Sequence, residues 1–231
     1  MLAPILSRLM LVFLLLAAAA SAAFWMGIVP QRFSPLSPLS LEKRDQWFVD
    51  WKLAALRRDA RLCRSLLKRP HINAIPIPDN PPKQGCGWTN SVKFSAIGDA
   101  KMSVQPLTCE MAAALTLWVN HELQPAAMTA FGEPVESIRH MGSYSCRNVE
   151  GRRLRSAHAL ANAIDISGFT LKGGRQISVL HHWKGGEPEA KFLRRVHHRA
   201  CRYFRVTLGP DYNPTHASHF HFDRAAFRTC S

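Results

Sequence analysis

Residues 156–167 read Ser-Ala-His-Ala-Leu-Ala-Asn-Ala-Ile-Asp-Ile-Ser, and far downstream residues 219–223 read His-Phe-His-Phe-Asp. Successive side chains of a β-strand point to opposite faces, so alternation assigns each stretch two sides. Ile164 and Ile166 face one way while Ala163, Asp165 and Ser167 face the other. Phe220 and Phe222 face one way while His219, His221 and Asp223 face the other. Each stretch therefore predicts a strand with an apolar face for a core and a polar face bearing metal-binding residue types. Zinc takes neutral imidazole nitrogen and carboxylate oxygen at roughly 2.0–2.2 Å, and a catalytic site keeps three protein ligands with water in the fourth position. His158, Asp165 and His221 supply such a set, with His158 on a loop or helical turn that leads into the strand.

Working outward, residues 162–170 and 175–180 predict a hairpin closed around Lys172-Gly173-Gly174, and residues 135–141 predict another strand. Residues 219–223 are expected to close the sheet. Thr108 is a candidate N-cap for a buried helix through 111–123 that is interrupted or ended near Pro125. Residues 187–204 carry apolar positions at Phe192, Val196, Ala200, Tyr203 and Phe204, the pattern of an amphipathic helix. Residues 41–68 predict one helix or two short ones with a basic face from Arg57 to Arg69, and the proline-rich residues 70–82 an irregular loop. No internal repeat is evident. The expected class is α+β, a small antiparallel sheet flanked by helices.

A 231-residue chain with 47% hydrophobic and 20% charged residues suits one domain plus a leader. Residues 9–29 are free of charge and long enough to cross a hydrocarbon core. Ala20-Ser21-Ala22 offers a cleavage site, but the apolar run continues through Phe24, Trp25, Met26 and Val29, which favours an uncleaved anchor. The expected organisation is an anchor or signal segment at 1–29, a Pro/Ser spacer at 30–40 and a single domain at 41–231. Six cysteines follow the apolar segment. None forms a CxxC pair, so disulfides in an oxidising compartment are the natural reading. Their connectivity does not follow from spacing; the sequential set Cys63–Cys86, Cys109–Cys146 and Cys201–Cys230 is the expectation. The net charge of +14 calls for an anionic partner. No nucleic-acid-binding signature accompanies it, so nucleic acid is not the expected partner.

The pattern Ser-x-His-x-x-x-x-Ala-Ile-Asp with a later His-x-His resembles the zinc peptidases of the D-alanyl-D-alanine carboxypeptidase, lysostaphin and hedgehog group, which cut cell-wall peptides. More specifically, Gly142-Ser-Tyr-Ser-Cys-Arg147, the His158 motif running into Asp165-Ile-Ser-Gly-Phe169, Gly209-Pro-Asp-Tyr-Asn213 and His219-Phe-His-Phe-Asp223 resemble the bacterial extensin-like C-terminal domain family, over roughly residues 63–230. The resemblance implies a disulfide-bonded, carboxypeptidase-like fold, zinc on His158, Asp165 and His221, and His219 beside the metal water. The chain departs from the peptidases in having Ala161 where they have glycine and His219 in place of their catalytic residue. It carries no plant-wall repeat.

The expectations that follow are a zinc-dependent envelope hydrolase acting on peptidoglycan peptide amide bonds or, alternatively, a non-catalytic zinc-containing module that binds wall material. Arg147 is the candidate for holding a substrate carboxylate or a developing oxyanion. Ser156 is a candidate support for a ligand or a local turn contact, and Asp223 a candidate to orient His219 or His221. The expected location is the bacterial inner membrane, single-pass, with the domain in the periplasm, or free in the periplasm if the leader is cleaved.

Overall fold

The alternation along residues 163–171 does give a strand, and the rest of the sheet is assembled on it. The computed structural model describes residues 2–28 and 30–231; Met1 and Val29, the last residue of the expected apolar segment, lie outside the described residues. The order is α1 (Leu2–Trp25), α2 (Val49–Leu56), α3 (Ala60–Leu66), β1 (Ile75–Pro76), β2 (Asn80–Lys83), β3 (Cys86–Trp88), β4 (Ser91–Ile97), β5 (Ala100–Thr108), α4 (Cys109–Trp118), α5 (Gln124–Phe131), β6 (Val135–Gly142), β7 (Ala163–Leu171), β8 (Gln176–Ser178), α6 (Val179–His182), α7 (Pro188–Ala200), β9 (Val206–Leu208), β10 (Phe220–Asp223) and β11 (Thr229–Cys230).

The sheet runs β1-β4-β5-β6-β7-β10-β9-β11, with β8 also paired to β7. Nine strands make it large where a small one was expected, and β5–β6 and β9–β11 pair in parallel. The added strands include β4 and β5, whose period-two burial at Val92 and Phe94 and at Ala100, Met102 and Val104 had not been assigned. Nor does β10 close the sheet at an edge: it lies between β7 and β9, with His221 opposite Asp165 and Phe222 opposite Ile164. Being paired on both sides fixes its register, so its histidines cannot slip to the apolar face.

That apolar face is covered by α4 and α7. Every residue of α4 is buried, and Trp118 packs edge-on against Phe222 at 5.3 Å while donating its indole N–H to the Val196 carbonyl of α7. Phe192 of α7 meets Phe169 at 5.7 Å. Each fully buried side chain of this size stabilises the fold by about 1.5–3 kcal/mol, and truncating one costs about 3–5 kcal/mol. Thr108 caps α4 as expected, its hydroxyl accepting from the Met111 amide. The helix is interrupted near Pro125 rather than ended there. A π turn at Val119–Leu123 leads into α5, so the proline, with no N–H to give, falls in a first turn.

Residues 41–68 form two short helices, α2 and α3, the second capped by Asp59, whose carboxylate accepts from the Arg61 and Leu62 amides. The loop expected at 70–82 holds two short strands, β1 on the edge of the main sheet and β2 against β3. Within 30–40, Leu39 is buried in the core and the Lys52 ammonium donates to the Ser37 hydroxyl.

Two expected disulfides are corrected. Cys63 pairs with Cys109 and Cys86 with Cys146, while Cys201–Cys230 stands as expected. The β4–β5 hairpin carries the chain away from Cys86 and returns Cys109, at the start of α4, to the α3 that packs on it. Nearness in sequence therefore misleads for these four cysteines. Helix α1 contains a 21-residue, predominantly apolar stretch, Ile5–Trp25, with Arg8 its one charged residue, which at 1.5 Å per residue spans about 31 Å. It fits a signal anchor or a membrane span.

Candidate metal centre

His158 sits on the 3-10 turn Ala157–Leu160, which ends at Ala161 in the left-handed conformation with φ of +53°. Glycine adopts that conformation freely, whereas alanine does so at about 1–2 kcal/mol. The turn is held by the buried Ala161 amide on the His158 carbonyl and by the Thr108 amide on the Ala161 carbonyl. Asp165 comes from β7 and His221 from β10, brought face to face by the antiparallel register.

Three side chains converge. His158 Nε2 lies 3.2 Å from Asp165 Oδ2 and 3.2 Å from His221 Nδ1, and His221 Nδ1 lies 2.9 Å from Asp165 Oδ1. The outer ring nitrogens are already committed. His158 Nδ1 faces the Ser143 carbonyl at 3.2 Å and His221 Nε2 faces the Asp223 carboxylate at 3.0 Å; both partners only accept, so both outer nitrogens carry hydrogen. The inner nitrogens then turn lone pairs toward each other and toward the carboxylate. Such a constellation needs a positive charge at its centre, either a proton on His221 or a metal ion. The edge of a zinc tetrahedron with bonds of about 2.0–2.1 Å is roughly 3.3–3.4 Å, close to the separations found.

Electrostatics tell the same story. Burial favours the neutral imidazole of His221, but hydrogen bonds to Asp165 and Asp223 and their charges overcome it and raise the pKa to about 9. Burial likewise opposes the Asp165 carboxylate, yet hydrogen bonds to His158 and His221 hold it far below the usual carboxylate range.

Among the described residues, His158, Asp165 and His221 form the one such group whose donor atoms all lie within 4.8 Å of one another. His219 stands beside it, its Nε2 3.7 Å from Asp165 Oδ1, with a pKa lowered by burial against the pull of Asp165. Asp223 orients His221 rather than His219, and its other oxygen accepts from the Ala225 amide. The Ser156 hydroxyl caps the 3-10 turn by accepting from the His158 amide. Arg147 is exposed, and its charge helps to keep His219 and His216 neutral.

His216 was not among the expected site residues. Its ring lies 5.3 Å from that of His219 and 5.9 Å from that of His221, and its Nδ1 pairs with Asn213 Oδ1 at 2.7 Å. Burial first, then the charges of His221 and His219, push its pKa down to about 4. The spacing His216-x-x-His219-x-His221 was the only signal for it. Ser143 was missed too, because it serves through its backbone carbonyl. No curated protein and no solved structure gives a significant match to the chain. Residues 61–231 match the family model described as extensin-like protein C-terminus, and the chain belongs to that family.

Proposed function

We propose that the domain is a zinc-dependent hydrolase of peptide amide bonds in peptidoglycan, held in the periplasm by α1 as an inner-membrane anchor and related to the carboxypeptidase, lysostaphin and hedgehog group. The observation that carries this is the three-donor set with His219 next to it but outside it. A catalytic zinc site needs three protein donors and one open position, whereas a structural site uses four. When bound, zinc lowers the pKa of its water and polarises the scissile carbonyl. His219, kept neutral by burial, accepts the proton released as the water oxygen bonds to the carbonyl carbon, and passes it to the amine as the C–N bond breaks. Asp223 and the Ser143 carbonyl hold the two ligand imidazoles in the tautomers that present their inner nitrogens. Arg147 receives a substrate carboxylate at the surface.

One observation favours the second reading, a zinc-stapled module that binds wall material without cutting it: His158, His219 and His221 are all buried. Incubation of the zinc-loaded protein with purified wall fragments, followed by mass spectrometry, separates the two. Products that differ from the substrate by one added water per cut support the hydrolase. Retention of intact fragments without products moves the assignment to the binding module.

A further inference from the structure

The surface formed by the end of the tether, α2 and α3 carries features that neither the core nor the metal centre uses. Trp47 is 57% and Trp51 70% exposed, and Phe48 is also exposed although its φ of +57° puts a bulky residue in the left-handed region. Strain of that kind persists only where surrounding structure imposes it, and it concentrates at working surfaces. Large aromatic side chains in water are costly for a monomer but sit well at a membrane interface, where one edge is apolar and the other wet.

A cationic face adjoins them. Trp51 and Ala55 are exposed on one side of α2 with Arg58 exposed just beyond its end, and Arg61 and Arg64 are exposed on one side of α3 with Lys68 exposed just beyond its end. Among the described residues, none of these four basic side chains is paired with a carboxylate. The buried side of the same helices, Leu53, Leu56 and Cys63, fixes which way they point.

The tether brings this surface close to the end of α1. The Trp47 amide donates to the Arg32 carbonyl at 2.8 Å, the Phe33 ring meets Trp47 edge-on at 4.9 Å, and Arg32 pairs with Asp45 at 2.7 Å. Arg32 is only seven residues beyond Trp25, the last residue of α1. Seven extended residues reach at most about 25 Å.

We infer that this face docks the domain flat on a bilayer of anionic phospholipid, with Trp47, Phe48 and Trp51 entering the headgroup layer and Arg58, Arg61, Arg64 and Lys68 pairing with headgroup phosphates. The proximity step rests on α1 being a membrane anchor; the aromatic and cationic face does not. Each basic residue near such a surface adds roughly fivefold to partitioning.

The test uses the full chain with vesicles of phosphatidylcholine, alone or mixed with phosphatidylglycerol. Alkaline carbonate extraction reads insertion of α1, and hydrogen exchange of residues 47–69 reads docking. Docking predicts exchange at least about tenfold slower in the anionic vesicles, lost in the triple variant Arg58→Glu, Arg61→Glu, Arg64→Glu and weakened by Trp47→Ser with Trp51→Ser. Retained zinc and an unchanged near-ultraviolet circular dichroism spectrum confirm that the variants are folded. Equal exchange in both vesicle types, with α1 inserted, overturns docking and leaves the anchor standing. Extraction of the chain by carbonate removes the anchor; docking then stands if salt-sensitive binding to anionic vesicles persists and falls if it does not. Protection of residues 47–69 by soluble anionic wall fragments without a bilayer overturns the proposal in favour of a wall polymer.

Discussion

Two buried polar clusters meet at the end of β10, one ending at Asp223 and the other beginning at Arg224, and they are built on opposite principles. In the second, the fully buried Arg224 gives its Nε to Glu110 at 2.6 Å, one terminal nitrogen to the Tyr203 carbonyl at 2.6 Å, and the other to Asp50 at 2.9 Å. Arg57 supplies Glu110 with a second partner, and Arg205 does the same for Asp50. Every acceptor meets a donor, and the cluster is complete in itself. In the first, the outer ring nitrogens point away to acceptors of their own, and two inner ring nitrogens and the Asp165 carboxylate face one another. Burial and charge are common to both, so neither marks a site. What separates them is the source of the central positive charge, a permanent guanidinium in one and a removable proton on His221 in the other.

Removing the cation from the complete cluster gives the largest effect. Arg224→Met leaves Glu110 and Asp50 without their buried partner and is expected to cost about 3–5 kcal/mol in urea unfolding; a loss below ~1 kcal/mol would mean that the network contributes little. In the other cluster the two histidines of one strand face are expected to part company. His221→Ala abolishes stoichiometric zinc, whereas His219→Ala keeps it and lowers wall-peptide hydrolysis about 100-fold or more. Elemental analysis and the product assay decide this, and equal loss of zinc in both variants would make His219 a ligand.

The third expectation concerns pH in chelator-treated protein, where a proton on His221 supplies the central charge. The folded pKa of about 9 lies above the unfolded value of ~6.5. The stabilisation is therefore complete below pH ~6.5 and fades as pH rises through 9, by an amount on the order of 3 kcal/mol. Zinc-loaded protein should lack this fall, and thermal unfolding across that window with and without chelator measures the difference. The smallest effect belongs to Ser156→Ala, which removes a cap from the turn carrying His158 and should cost about 1 kcal/mol. Zinc stoichiometry should survive it; loss of zinc at unchanged stability would give Ser156 a part in the centre itself.

The strands at 163–171 and 220–223, the α7 helix and the Thr108 cap were legible because each is written in a local period or a single capping residue. The alternation that put Asp165 and His221 on polar faces is such a period, which is why the candidate donors could be named before their contacts were known. Strands β4 and β5 carried the same signal, whereas His216 offered only its spacing to His219. Arg224 gave no local sign of burial, since an arginine beside a strand end usually reaches solvent; only Glu110 and Asp50, more than a hundred residues upstream, make its burial tolerable.

By itself the sequence determined which side chains share a face, because backbone stereochemistry sets that within a few residues. Tertiary structure decided which faces meet: the register that sets His221 against Asp165, the pairing of Cys63 with Cys109, the place of β10 inside a nine-stranded sheet and the match of Arg224 with two distant carboxylates. Those choices minimise unpaired polar groups and exposed apolar area over the whole chain at once, and no local window contains that sum.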